Sequence, residues 1–270
     1  MSITYEKIRR PAITSVPGLR ASGIHCGIKG DPELPDLAII VCDTPATAAA
    51  VFTVNKFRSA HILYDEEILG RHAQEIRGLA INSGCANACT GETGLRNAAR
   101  TAEALARQAG VPANSVLVMS TGVIGVQLPM DKILAGIADA VARLSAQGGH
   151  DAERAIMTTD TMPKEAGLRI HFGDGRSVTV AGMAKGAGMI HPNMATLLAV
   201  IAMDVRIAPA LLQKMRQPRH HHIGKRGGHA GQCHNNLCGD GIKRNLRFGG
   251  KCAQHHSPHL NQRDSDQQHR

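Results

Sequence analysis

Gly182–Asp204 reads GMAKGAGMIHPNMATLLAVIAMD. Its first half is glycine and small residues, which permit φ > 0 and the close approach of backbone to backbone or ligand. Thr196–Met203 is a short apolar run bounded by polar residues, the pattern of a buried strand. Ala195 and Thr196 place a small residue and a hydroxyl at the mouth of that strand, and Lys185 lies on its glycine-rich side. Were the peptide bond before Thr196 cut, the threonine would carry its own base, the freed α-amine, beside its hydroxyl. An α-amine with a pKa of about 7.7–8.0 can take the hydroxyl proton near neutral pH. This is the layout of an N-terminal threonine nucleophile. Neither G-x-x-x-x-G-K-[ST] nor G-x-G-x-x-G occurs in the stretch, so it is not read as a phosphate cradle.

Upstream of this stretch, Leu168–Phe172 and Ser177–Ala181, joined by GDGR, predict a hairpin. Gly94–Ala109 carries Leu95, Ala98, Ala99, Ala102, Leu105 and Ala106 at helical spacing and stops at Gly110 and Pro112. Asp131–Leu144 is a second amphipathic helix and Asp151–Met157 a shorter one. Leu37–Cys42 and Ala48–Val54 read as strands separated by the Asp43-Thr44-Pro45 break, with Ser59–Leu63 as a third. Asp65–Arg77 reads as helix, and Leu79–Asn82 and Val116–Ser120 as further strands. Strands in runs with helices between them predict an α/β layered sandwich of sheets and covering helices.

At 270 residues the chain has ample material for a core. The absence of tryptophan, with two tyrosines and four phenylalanines, means a core of aliphatic residues and argues against stacking on nucleic-acid bases. No apolar run is long enough to span a membrane, and MSITYEKIRRPAITS lacks a signal-peptide core. Seven cysteines without a small-domain spacing point to reduced thiols and a cytoplasmic protein. Residues 216–270 hold ten Lys/Arg against three Asp/Glu, whereas the first 215 hold 21 against 19. The net charge of +9 therefore belongs mainly to the tail.

The central stretch closely resembles the self-cleaving segment of the ornithine acetyltransferase family, the bifunctional glutamate N-acetyltransferases of arginine biosynthesis. The match to K-G-x-G-M-I-x-P-x-M-A-T runs through Lys185, Gly186, Gly188, Met189, Ile190, Pro192, Met194, Ala195 and Thr196. GLRASGIHCGIK, PDLAIIVCDTPATAAAVFT, INSGCANACTG, STGVIG and TTDTMPKE are similar to further segments of that family, in its order, over about residues 17–215. The resemblance implies the layered sandwich of the ornithine acetyltransferase type, with residues 1–195 as an α-chain and Thr196 opening the β-chain. It implies cleavage at Ala195-Thr196 and transfer of acetyl from N2-acetylornithine to glutamate through an acetyl-threonine intermediate. It assigns Thr121 and Gly122 to the oxyanion hole, and Thr159 (or its neighbour Thr158), Lys185 and Thr196 to substrate binding. An α/β heterotetramer follows, with no cofactor, no metal and no membrane; acetyl-CoA enters only as a second acetyl donor.

Taken without the resemblance, Ser120-Thr121-Gly122 is a strand-end turn, Lys185 a solvated loop lysine, and Thr158–Asp160 a helix-end cap. His191 stands at a variable position of the motif and has no G-x-S-x-G companion. Cys85 and Cys89 read as plain small side chains rather than a redox pair. Residues 216–270 contain no valine, carry nine of the fifteen histidines and keep neither strand nor helix period, so an irregular, solvated tail is expected. Cys233, Cys238, Cys252, His255 and His256 are zinc-type residues, but C-x4-C is a poor zinc spacing. The tail's charge predicts non-specific attraction to phosphates rather than specific nucleic-acid recognition. The family's later substrate-contacting segments have no counterpart here, which predicts a truncated or frame-shifted, inactive chain. Two alternatives stay open: an aminopeptidase-like hydrolase using the same nucleophile, and a non-catalytic nucleic-acid-binding protein acting through its tail.

Overall fold

Leu37–Cys42 is apolar at every position, and a strand of that composition has to be covered on both faces. In the computed structural model, which describes residues 2–186 and 197–215, it is. β1 (Ile3–Lys7), β2 (Leu19–Ile24), β3 (Leu37–Ala46), α1 (Ala60–His72), β4 (Ile76–Cys85) and α2 (Gly91–Ala109) open the chain. β5 (Val116–Val123), α3 (Met130–Ala142), α4 (Gly149–Ile156), β6 (Lys164–Phe172), β7 (Ser177–Lys185), β8 (Leu198–Met203) and α5 (Pro209–Met215) follow. The strands form two four-stranded sheets, β2-β3-β4-β5 and β1-β6-β7-β8. The second is antiparallel throughout, whereas the first ends in a parallel pair, β4 and β5. A parallel pair needs a long crossover, and α2 supplies it.

Alternation along β3 sets the layers. Leu37, Ile39 and Val41 face a core closed by Ala98, Ala102 and Leu105 of α2 and by Ile133 and Ile137 of α3. Ala38 and Ile40 face the opposite way, into a second core with Ile81, Ala152, Ala155, Ile156 and Met183. The second sheet and α4 close that side. The expected α/β layered sandwich is thus present, with helices outside one sheet and a second sheet beneath it. Leu105 is fully buried against β4 and β5. Leu105→Ala is expected to cost about 2–5 kcal/mol of stability, read as a lowered midpoint in chemical denaturation.

Several local expectations need correction. Asp43-Thr44-Pro45 does not end the strand; β3 runs on to Ala46 with a register shift between Val41 and Ala46. A bulge tolerates proline because the unpaired residue needs no N–H, and Arg77 donates to the released carbonyls of Cys42 and Asp43 at 2.9 and 3.1 Å. Ala48–Val54 forms no strand: the Ala48 N–H is drawn to Ala73 at the end of α1, and Val54 is 86% exposed. Ser59–Leu63 opens a helix instead of a strand, with Ser59 at the N-cap position and His61 and Asp65 buried one turn apart. That helix ends at His72, and β4 has begun by Ile76. Both helices α2 and α3, the short α4 and the β6–β7 hairpin stand where the periodicity places them. The strand expected over Thr196–Met203 is found as Leu198–Met203; Thr196, Ala195 and His191 lie outside the described residues, as does the tail. The described residues all fall in one compact unit, Met1–Gln217. Among them no helix is long and apolar enough to cross a membrane.

Candidate active site

The parallel pair brings the carboxyl ends of β4 and β5 side by side, the position where open α/β sheets expose backbone to ligands. Ser83 is in register with Thr121, and Gly84 with Gly122. The strands come so close here that a Cβ on Gly122 would lie 2.3 Å from the Gly84 carbonyl carbon and 2.5 Å from the Cys85 nitrogen. Gly122 also has φ +136°, a conformation side chains disfavour. Close approach and conformation both require glycine at this position.

Thr121 is buried, 8% exposed, and its Oγ1 accepts a hydrogen bond of 2.9 Å from the Lys185 ammonium. Lys185 is itself 3% exposed at the end of β7, so two residues 64 apart in sequence meet between the sheets. The solvated-lysine reading of Lys185 therefore does not hold. Burial pulls its pKa below the ordinary lysine value; Asp160 opposes this and Lys164 adds to it. Gly186, the next residue, donates its N–H to Asp160 Oδ1 at 2.8 Å. Asp160 also accepts from the Thr158 N–H at 3.3 Å and pairs with Lys164. Thr159 is exposed on the loop between α4 and β6, next to the buried Asp160 carboxylate, so the TTDTMPKE loop does reach the Lys185 end of β7.

Asp160 and Lys29 are site residues that sequence reasoning passed over. Lys29 is half-buried and donates to the carbonyls of Pro35 and Met157 at 2.7 and 2.8 Å, tying the loop before β3 to the end of α4. Burial lowers its pKa as well, Asp36 opposes that, and Lys185 adds to it. Asp36 in turn holds the loop by accepting the N–H groups of Cys26, Ile28 and Lys29. Both residues sat within quoted motifs, Lys29 in GLRASGIHCGIK and Asp160 in TTDTMPKE, and a charged residue bound for the interior gives no periodic signal. Among the described residues Cys26, Cys42, Cys85 and Cys89 are free thiols, with Cys85 buried and Cys89 exposed. No group of three potential metal ligands occurs among them.

Beside this cluster, Glu153 of α4 is fully buried, with one oxygen accepting the Lys164 N–H at 2.8 Å and the other without a hydrogen-bond partner. Burial raises its pKa to about 7, the Lys164 N–H works against the rise, and Glu165 reinforces it. Because the folded state binds this proton more tightly, the contribution is present below pH 4.5 and lost as pH rises towards 7. Glu153→Gln is therefore expected to gain stability relative to the parent as pH rises from about 4.5 to 7, with no further gain above that. Melting curves of both proteins across that range check it.

The α/β sandwich with its interior threonine–lysine pair and glycine-only strand end can be set beside known proteins. The ArgJ family profile matches residues 20–222. The Thermotoga neapolitana "Arginine biosynthesis bifunctional protein ArgJ" is 50% identical over 198 residues, 73% of this chain and 49% of that protein. A mitochondrial ArgJ of Aspergillus oryzae is 47% identical over 214 residues, 76% of this chain and 46% of the relative. The solved Bacillus halodurans ArgJ aligns with TM-score 0.66 at 39% identity, covering 72% of this chain and 99% of that one. The ornithine acetyltransferase of Mycobacterium tuberculosis, solved in complex with ornithine, aligns with TM-score 0.64 at 40% identity, covering 72% and 100%. The chain belongs to the ArgJ family of arginine-biosynthesis enzymes. It spans about half the length of the curated relatives it matches.

Proposed function

We propose that this chain carries the acyl-transfer site of a glutamate N-acetyltransferase, with Thr196 as nucleophile. The observation that carries the reading is the buried Lys185–Thr121 contact beside Gly122, at the end of the strand that leads into the cleavage segment. Thr196 Oγ first attacks the Ala195 carbonyl, the C–N bond breaks so that the peptide becomes an ester and the Thr196 amine is freed, and water then hydrolyses the ester to release the Ala195 carboxylate and the Thr196 hydroxyl. The amine then takes the hydroxyl proton as Oγ attacks the acetyl carbonyl of N2-acetylornithine. The Gly122 N–H and the Thr121 hydroxyl stabilise the tetrahedral oxyanion. The proton passes to the departing ornithine amine, and the glutamate amine then takes the acetyl group from threonine. Thr159 and Lys185 contact the substrate, Lys185 by its charge. Acetyl-CoA is a second donor for the same acetyl-threonine. Residues 1–195 form the α-chain and the residues from Thr196 the β-chain, assembled as an α/β heterotetramer.

A denaturing mass spectrum of the purified chain tests the reading directly. Two fragments meeting at Ala195/Thr196 are expected, and a single intact mass after prolonged incubation contradicts self-cleavage. In a version extended to the full length of its relatives, with N2-acetylornithine and glutamate supplied, N-acetylglutamate is the expected product, whereas release of free acetate alone would point to the hydrolase alternative.

A further inference from the structure

Hydrogen bonds that close into a ring hold a loop firmly, because no member can shift alone. Such a ring joins the two strand ends of the site to the loop after α4. The Lys29 N–H donates to Asp36 Oδ2 at 2.9 Å, and the Asp36 carbonyl accepts the Ser83 N–H of β4 at 2.9 Å. Ser83 Oγ donates to the Ala155 carbonyl of α4 at 2.6 Å. Just beyond, the Met157 carbonyl accepts from the Lys29 ammonium at 2.8 Å, which closes the ring. Asp36 and Ser83 are both fully buried. The Lys29 stem also packs on the next residue of β4, since a Cβ on Gly84 would lie 3.4 Å from Lys29 Cγ. Gly84 is in register with Gly122, and Thr158 and Thr159 directly follow Met157.

A plain helix cap does not account for this lysine. α4 already carries a cation in its last turn, the exposed Arg154. Lys29 instead comes from a loop 128 residues away and is half-buried, so its charge is partly stripped of water. Among the described residues its ammonium makes no ion pair, and its partners are the carbonyls of Pro35 and Met157. Hydrogen bonds from a charged donor are stronger than neutral ones, and this one spans two elements. We propose that Lys29 is a positioning residue for acyl transfer: it fixes the loop bearing Thr158 and Thr159 against the strand ends bearing Gly84 and Gly122, so that substrate contact and oxyanion donors keep one spacing. Its catalytic meaning rests on the acetyltransferase reading, but its geometry does not. The far end of the loop has its own anchors, Asp160 on the Gly186 N–H and Glu153 on the Lys164 N–H. Loss of Lys29 therefore frees the near end alone. Lys29 touches no reacting atom in this scheme; it acts through the loop.

Amide hydrogen exchange of the full 270-residue chain, read by mass spectrometry, tests the geometry. Lys29→Met keeps an apolar stem over Gly84 and removes the donors. Exchange in a peptide spanning 157–164 is expected to quicken about tenfold or more, the scale of a lost hydrogen bond to a charged group. α2, which the ring does not touch, is expected to exchange as in the parent. Lys29→Arg keeps a charged donor and is expected to restore most of the protection. Should Lys29→Met not fold, Lys29→Gln, one bond shorter, is read in its place. Unchanged exchange in the loop overturns the proposal, and so does an equal rise in α2, which means general loss of stability. If neither variant folds, Lys29 serves folding rather than positioning, and the proposal falls. In a version extended to the full length of its relatives, Lys29→Met is expected to raise KM for N2-acetylornithine about fivefold, the scale of one neutral hydrogen bond, with kcat changed less. Lys29→Arg is expected to bring KM back towards the parent. An unmoved KM beside a loosened loop overturns the positioning role. A parent that transfers no acetyl counts against the acetyltransferase reading instead, and the exchange result then decides the geometry by itself.

Discussion

Thr196→Ala is expected to leave a single uncleaved polypeptide and, in a version extended to the full length of its relatives, to remove acetyl transfer by about 10⁴-fold or more, the scale seen when a covalent nucleophile is deleted. Alanine has no Oγ, so neither the attack on the Ala195 carbonyl nor the acetyl-threonine can form. Thr196→Ser keeps the oxygen and the neighbouring amine, and is expected to cleave and to retain a reduced rate. The contrast separates loss of the hydroxyl from loss of packing. Mass spectrometry of the three proteins after the same incubation, with N-acetylglutamate formation as the second reading, checks both steps. Acetyl exchange equal to the parent in Thr196→Ala would remove the assignment.

Gly122→Ala is expected to lower stability strongly. Its Cβ would sit 2.3 to 2.6 Å from backbone atoms of Gly84 and Cys85, none of which can swing aside as a side chain could. The residue would also hold φ +136°. Backbone strain of about 1–3 kcal/mol and overpacking of similar size together give about 2–6 kcal/mol. For a domain of this size that is a fall in Tm of about 4–24 °C. Gly110→Ala is the matching control. Gly110 caps α2 with φ +66° but has nothing within 4 Å of its Cβ position. It is expected to cost about 1 kcal/mol, the conformational part alone. Thermal melts of the two variants thus separate close approach from dihedral preference.

Much of this fold was legible because it follows from local pattern. The alanine stripe of α2 and its glycine stop are short-range features, and α2 ends at Gly110 in the left-handed conformation as that pattern demands. The unbroken apolar run of β3 announced a strand buried on both faces. Reading failed where a distant partner decided the outcome. Pro45 looked like a break, yet Arg77 makes a bulge tolerable by binding the exposed carbonyls. Ala48–Val54 had strand composition, but the end of α1 takes its first N–H. Within the site, Thr121 and Lys185 were singled out through the family motif, and their meeting depends on two sheets stacking. Asp160 was hidden for the same reason: its partner Gly186 lies 26 residues away, just past the end of β7. Its nearer partners, Thr158 and Lys164, lie in the same short window but say nothing of its burial against the end of β7.

The order of strands also sets a timetable for synthesis. β1 is made first, yet its partner β6 starts only at Lys164, whereas all four strands of the other sheet are complete by Val123. At about 5–20 residues per second, the nascent N-terminal strand waits on the order of ten to thirty seconds for its partner. Through that interval the face of the finished sheet bearing Ala38, Ile40 and Ile81 has no second sheet over it. Slowing translation past the β4–β5 region should lengthen that interval and raise the demand for chaperones that shield apolar surface on the ribosome.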